Sequence, residues 1–147
     1  MRFALLAALL LLACCGPKPD TVEDFHTQPA TLPGGQVLRV ETMIDNVDLL
    51  RGLMFRTSLA PDHGMLFVYP KPGLYQSWMY QTLIPLDVLW LDTNHNIVEL
   101  VENAQPCKTQ ASKCPKYGGQ QIASYMLEIG AGMAGKYGLR LGQRIQW

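Results

Sequence analysis

Residues Gly64 to Asp87, GMLFVYPKPGLYQSWMYQTLIPLD, hold two apolar runs separated by a proline-rich segment. Met65 to Tyr69 is short, carries Leu, Phe, Val and Tyr, and is stopped by Pro70, which reads as a buried strand rather than a helix. Tyr75 to Met79 forms the second run and ends in Trp78-Met79. Pro70-Lys71-Pro72-Gly73 between them reads as a turn, because the prolines fix φ and the glycine permits positive φ. The expectation is a hairpin with a large apolar face, which the chain leaves through Thr82, Pro85 and Asp87.

Working upstream, Gln36 to Met43 reads as a strand of mixed exposure. Ile44, Val47, Leu50, Leu53 and Met54 are three or four apart, so Ile44 to Met54 reads as one amphipathic helix. Asp45, Asn46 and Asp48 suit the positive end of its dipole. Thr57 to Gly64 is a loop. Downstream, Leu86 to Leu91 is apolar on both faces and reads as a central strand. Asp92 to Asn96 is a turn with His95 at an exposed tip, and Ile97 to Val101 is the next strand. A loop from Glu102 to Gln121 precedes a strand at Ile122 to Ile129 and a short helix within Ala131 to Tyr137. Arg144 to Trp147 would close the sheet.

The chain has 147 residues and is 48% hydrophobic, enough for the core of one domain, residues 36–147. Twelve Lys and Arg balance twelve Asp and Glu, so no basic field favours nucleic acid. Ahead of the domain, Arg2 precedes an apolar run from Phe3 to Ala13, too short to span a bilayer and of signal-peptide length. Leu11-Leu12-Ala13-Cys14 resembles a bacterial lipobox, which implies removal of residues 1–13 and lipidation of Cys14, with Cys15 as the alternative. The residue after Cys14 is not Asp, which by that resemblance points to the periplasmic side of the outer membrane. Residues 14–35 then read as a lipidated, proline-rich tether in which His26 is solvated. In an exported chain, Cys107 and Cys114 suit a disulfide, worth about 2.5 kcal/mol for a loop of about eight residues. Neither a CxxC spacing nor a nearby histidine supports a metal site at that pair.

Several other patterns carry chemistry only weakly. Gly130 to Gly135 spells GxGxxG after a strand, but the chain ends before a partner acidic residue about twenty positions on. Asp62-His63, with Ser58 or Ser77 as nucleophile, lacks a nucleophile elbow. Met43, Met54, Met65 and Met79 could offer thioethers to Cu(I), yet they sit at apolar-periodic positions where methionine fills core gaps. Arg51, Arg56, Asp62 and Asp87 form the sharper set, because charges beside apolar runs must be paired, exposed or functional. They form either an ion-pair network or a pocket in which Trp78 is a flat wall and Arg56 with Asp87 fixes a polar small molecule.

Arg51 to Arg56, Gly64 to Phe67, Trp78-Met79, Thr82, Ile84 to Asp87, Cys107, Cys114-Pro115, Tyr117, Leu127-Glu128 and Ala131-Gly132 together resemble the bacterial and archaeal domain of unknown function 192 family. The resemblance runs from about Gln36 to Trp147. It implies an α+β single domain whose mixed or antiparallel sheet is curled toward a barrel, with one or two short helices. It brings no settled activity. Tyr80-Gln81 stands where Lys-Asn commonly follows Trp-Met, and Gln143 where an acidic residue is common. The function expected is a lipid-anchored envelope protein whose non-catalytic domain binds a small ligand or a protein partner at Arg51, Arg56, Asp62, Trp78, Thr82 and Asp87, without cofactor or metal. The alternatives are a hydrolase or lyase of envelope glycans using Asp62 and Asp87 as acid and base, and a Cu(I)-binding periplasmic protein.

Overall fold

The computed structural model describes residues 27–147; the expected signal segment, residues 1–13, together with Cys14 and His26, lies outside them. Eight strands and two short helices follow in chain order: β1 (Thr27–Thr31), β2 (Val37–Met43), α1 (Asn46–Arg51), β3 (His63–Gly73), β4 (Gln76–Trp78), β5 (Leu86–Leu91), β6 (Ile97–Ala104), β7 (Lys116–Gly118), β8 (Ala123–Gly130) and α2 (Met133–Lys136). Six strands make one sheet in the order β1-β2-β3-β8-β5-β6, and β4 with β7 makes a separate two-stranded ribbon. Only β2 and β3 run parallel; every other pair is antiparallel. The fold is therefore a single, mostly β domain with two short helices. The sheet is not closed into a barrel, although single bridges join the C-terminal segment to β1 at Thr31 and to the start of β6 at Asn96.

Side chains alternate along each strand, so both faces of the sheet can be assigned from pairing. On one face Leu38, Val40, Leu66, Leu89, Leu91, Leu127 and Ile129 pack beneath Ala134, Leu139 and Ile145. On the other, Met65, Phe67, Val88, Trp90 and Met126 pack against Leu53, Met79 and the Cys107–Cys114 disulfide, whose Cα atoms are 5.8 Å apart. All six residues of β5 are buried, as the two-faced apolar run requires.

The expected hairpin does not form. Pro70 and Pro72 do not turn the chain back; β3 runs on to Gly73, with a register shift against β8 between Val68 and Gly73 that accommodates the residues unable to donate to the ladder. β3 is central because β2 and β8 occupy both its edges, so β4 pairs with β7 instead. Part of the segment expected to be a tether, residues 14–35, is instead a strand. Thr27–Thr31 pairs with β2, and Ala30 and Leu32 are buried, so proline content there marks an edge strand rather than a linker.

The helix expected over residues 44–54 is only Asn46–Arg51. Asp45 caps it, accepting from the backbone N–H groups of Val47 and Asp48 at 3.0 and 2.9 Å. Gly52, at φ 47°, ends it. None of its residues is buried, and Ile44, Val47 and Leu50 are exposed. The short turn that follows inserts Leu53 into the core.

Candidate functional site

A cleft of about 300 Å³ opens between α1, the β4–β7 ribbon and the sheet face that carries Met126 and Glu128. The end of α1 supplies Leu49 to Met54 as one wall. Tyr69 and Tyr75, stacked at 3.6 Å with an 8° interplanar angle, supply another. Trp78 from β4 and Lys116 from β7 form the third, with the Lys116 Nζ 3.7 Å from the Trp78 ring centroid.

The floor is Glu128. Because β8 alternates, Met126 and Glu128 project to the cleft face while Leu127 and Ile129 enter the opposite core. The Glu128 side chain is buried, and the Ser77 hydroxyl donates to its Oε1 at 3.1 Å. Burial pushes its carboxyl up to about 7, and the Ser77 bond offsets this only in part. Burial also holds the Tyr69 phenol above the ordinary tyrosine range, with the Glu128 charge adding to the effect. The Tyr69 hydroxyl lies 3.7 Å from the Met126 sulfur. A carboxyl raised by burial and set among aromatic rings in a concave site makes this cleft the candidate functional site.

The residues singled out from the sequence separate into two groups. Arg51, Trp78 and Thr82 line this cleft, Arg51 exposed at the rim and Thr82 buried. Arg56, Asp62 and Asp87 do not. Arg56 makes a bidentate pair with Glu41, its two terminal nitrogens 2.5 and 2.6 Å from the carboxylate oxygens. Asp62 is exposed and bonds His63 Nδ1 at 2.9 Å; the His63 contact holds its carboxyl below the usual range. Asp87 is wholly buried on the other face of the sheet, where its oxygens accept from the backbone N–H groups of Asn103 and Ala134, both at 2.8 Å.

The expected pairing of Arg56 with Asp87 is thus ruled out by strand alternation: Asp87 points toward α2, and Arg56 reaches Glu41 on the cleft face. Asp62 and Asp87 likewise do not converge as an acid and base. His95 is not a free loop tip; its ring stacks on Trp147 at 3.7 Å and meets Tyr125 edge-on at 5.0 Å. Met65 and Met79 are buried in the core and Met43 packs against it, while Met54 lines the cleft.

Sequence reading weighed Ser77 only as a weak nucleophile candidate and did not bring Glu128, Lys116, Tyr69 or Tyr75 to the candidate site. A signal existed for Glu128, an acidic residue inside the apolar run Ile122 to Ile129 and therefore destined for burial. Gln81 gives one departure from the family pattern a backbone meaning. It adopts φ 55°, a conformation that asparagine tolerates better than glutamine.

The DUF192 family, described as "Uncharacterized ACR", matches residues 30–147 of this chain. The crystal structure of a protein of unknown function from Novosphingobium aromaticivorans DSM 12444 is similar at 27% identity and a TM-score of 0.77, covering 91% of this chain and 94% of that one. A second, from Sinorhizobium meliloti 1021 and described as a "putative transcription regulator", shows 32% identity and a TM-score of 0.70, covering 80% of this chain and 89% of that one. No curated protein matches the chain.

Proposed function

The chain belongs to the DUF192 family, and we propose that this member is a lipid-anchored envelope protein that binds a small polar, ring-bearing molecule, such as a glycan fragment, in the Glu128 cleft. The observation that carries the reading is the combination of a buried carboxyl at the floor with Tyr69, Tyr75 and Trp78 around it. Flat apolar rings stack on aromatic walls, and one or two placed polar groups fix their orientation. The lipobox-like Leu11 to Cys14 and the Cys107–Cys114 disulfide support an exported, membrane-tethered setting.

A binding role is favoured over a hydrolytic one by the carboxyl inventory. A glycosidase uses two carboxyl groups about 5 to 9.5 Å apart, whereas among the described residues Glu128 is the sole Asp or Glu lining the cleft. The regulator description of the Sinorhizobium neighbour is not carried over. The charge balance is neutral, and the two described helices, of six and four residues, are too short to read a major groove.

The test is a titration of the protein with neutral mono- and disaccharides and small aromatic alcohols, followed through the Trp78 indole resonance. A saturable shift, lost in Tyr75→Ala while the fold persists, is the expected result. Shifts confined to residues outside the cleft would overturn the assignment.

A further inference from the structure

Glu41, Met65 and Glu128 occupy one register row across β2, β3 and β8. Residues paired side by side share a sheet face, so both glutamates project to the cleft side of the sheet. Both are buried, at 6% and 5% exposure. Their partners differ. Glu41 has the Arg56 guanidinium in bidentate contact, and among the described residues Glu128 has only the Ser77 hydroxyl. A buried carboxylate without a counter-charge is costly, and of the two it is the unpaired one that lies at the bottom of an open cleft.

We propose that the ligand of this cleft carries an organic cationic nitrogen, which seats against the Glu128 carboxylate and supplies the counter-charge that Arg56 supplies to Glu41. This rests on the reading of the cleft as a small-molecule site and names the class of molecule. The other titratable groups facing the site are Arg51 from α1, Tyr69 from β3, Tyr75 from the β3–β4 connection and Lys116 from β7. Neither cation neutralises Glu128: Arg51 is exposed, Lys116 sits over the Trp78 ring, and burial is the leading cause of the raised Glu128 value. Aromatic faces attract cations, so Tyr69, Tyr75 and Trp78 suit an ammonium group as well as a ring.

Gly52 lies beside the carboxylate. A Cβ built there would lie 4.0 Å from Glu128 Oε2 and 3.0 Å from Phe67 Cζ, so this oxygen faces the end of α1. An inorganic cation fits poorly. Among the described residues no three His, Cys, Asp or Glu side chains converge, and a lone carboxylate offers a divalent ion too few ligands.

The experiment compares benzyltrimethylammonium, charged at every pH, with neutral benzyl alcohol. Each is added at millimolar concentration to the protein while NMR follows the Trp78 indole and the Glu128 side-chain carboxyl. The cation is expected to move both signals, to lower the Glu128 titration midpoint by about one pH unit, and accordingly to bind roughly sevenfold more tightly at about pH 8 than at about pH 5.5. Glu128→Gln is expected to remove that pH dependence. If the two probes bind equally at both pH values, the cation proposal is overturned and the cleft reading stands. If neither moves Trp78, both are overturned. Should Glu128→Gln not fold, the pH titration of the unaltered protein decides alone.

Discussion

Ser77 Oγ donates to Glu128 Oε1 across 3.1 Å, a bond between residues 51 positions apart. It ties the β4–β7 ribbon to the floor of the main sheet, so the separate ribbon becomes a wall of the cleft. Among the described residues it is the one hydrogen bond to the buried Glu128 carboxyl.

Glu128 makes stability fall as pH rises. Its folded value of about 7 lies above the ordinary 4.5, so between these values the unfolded chain has released a proton that the folded chain retains. The unfolded state binds fewer protons across that window, and stability therefore drops through it and levels off above about pH 7, a total of roughly 3 kcal/mol. Glu128→Gln carries no such penalty. Urea unfolding is expected to show the variant more stable by up to about 3 kcal/mol at about pH 8 and close to the parent below about pH 4.5.

Arg56→Ala leaves the Glu41 carboxylate buried without its guanidinium. The expected loss is about 2 to 4 kcal/mol, the lower part of the range applying because Arg56 is partly solvated. Replacing both partners, Glu41→Leu with Arg56→Met, is expected to restore much of it, since the uncompensated charge is gone. Thermal melts of the two variants check this.

Asp87→Asn removes one of the two acceptors that serve the Asn103 and Ala134 backbone groups and sets an amide donor against an N–H. A loss of roughly 2 to 3 kcal/mol is expected from the buried unsatisfied group. Ligand shifts at Trp78 should be unchanged, because Asp87 lies on the far face of the sheet.

Gly118→Ala is expected to be among the most damaging single changes. Gly118 has φ 72°, and an added Cβ would approach Trp90 Cζ2 to 2.2 Å. Trp90 is fully buried and cannot yield. The left-handed conformation and the clash together are expected to cost about 2 to 4 kcal/mol, read as a fall in Tm.

Reducing the Cys107–Cys114 bond is expected to lower stability by about 2.5 kcal/mol. The loop leads directly into β7, so Lys116 should lose its fixed place over Trp78 as well. Trp78 fluorescence and denaturation with and without reductant measure the two effects.

Local pattern located most strands of the domain. The two-faced apolar run Leu86 to Leu91, the runs beginning at Ile97 and Ile122, and the disulfide spacing each report a property of neighbouring residues, which a linear chain displays directly. Arg51, Trp78 and Thr82, which line the cleft, were singled out for the same reason, since they border apolar runs. The 44–54 helix was overextended because periodicity does not register how Gly52 at positive φ ends a turn.

What the sequence by itself determined is the family pattern, the strand content, the balanced charge and the cysteine pair. Tertiary structure alone decided that Pro70 and Pro72 lie in β3 rather than in a hairpin turn, that Arg56 belongs to Glu41, and that Asp87 caps the far face while Glu128 floors the cleft. The reason is physical. Alternation fixes that neighbouring side chains point to opposite faces, but which face is covered by α2 and which by the ribbon depends on strand order. That order is set by β8 inserting between β3 and β5, a pairing between residues about 60 positions apart in the chain.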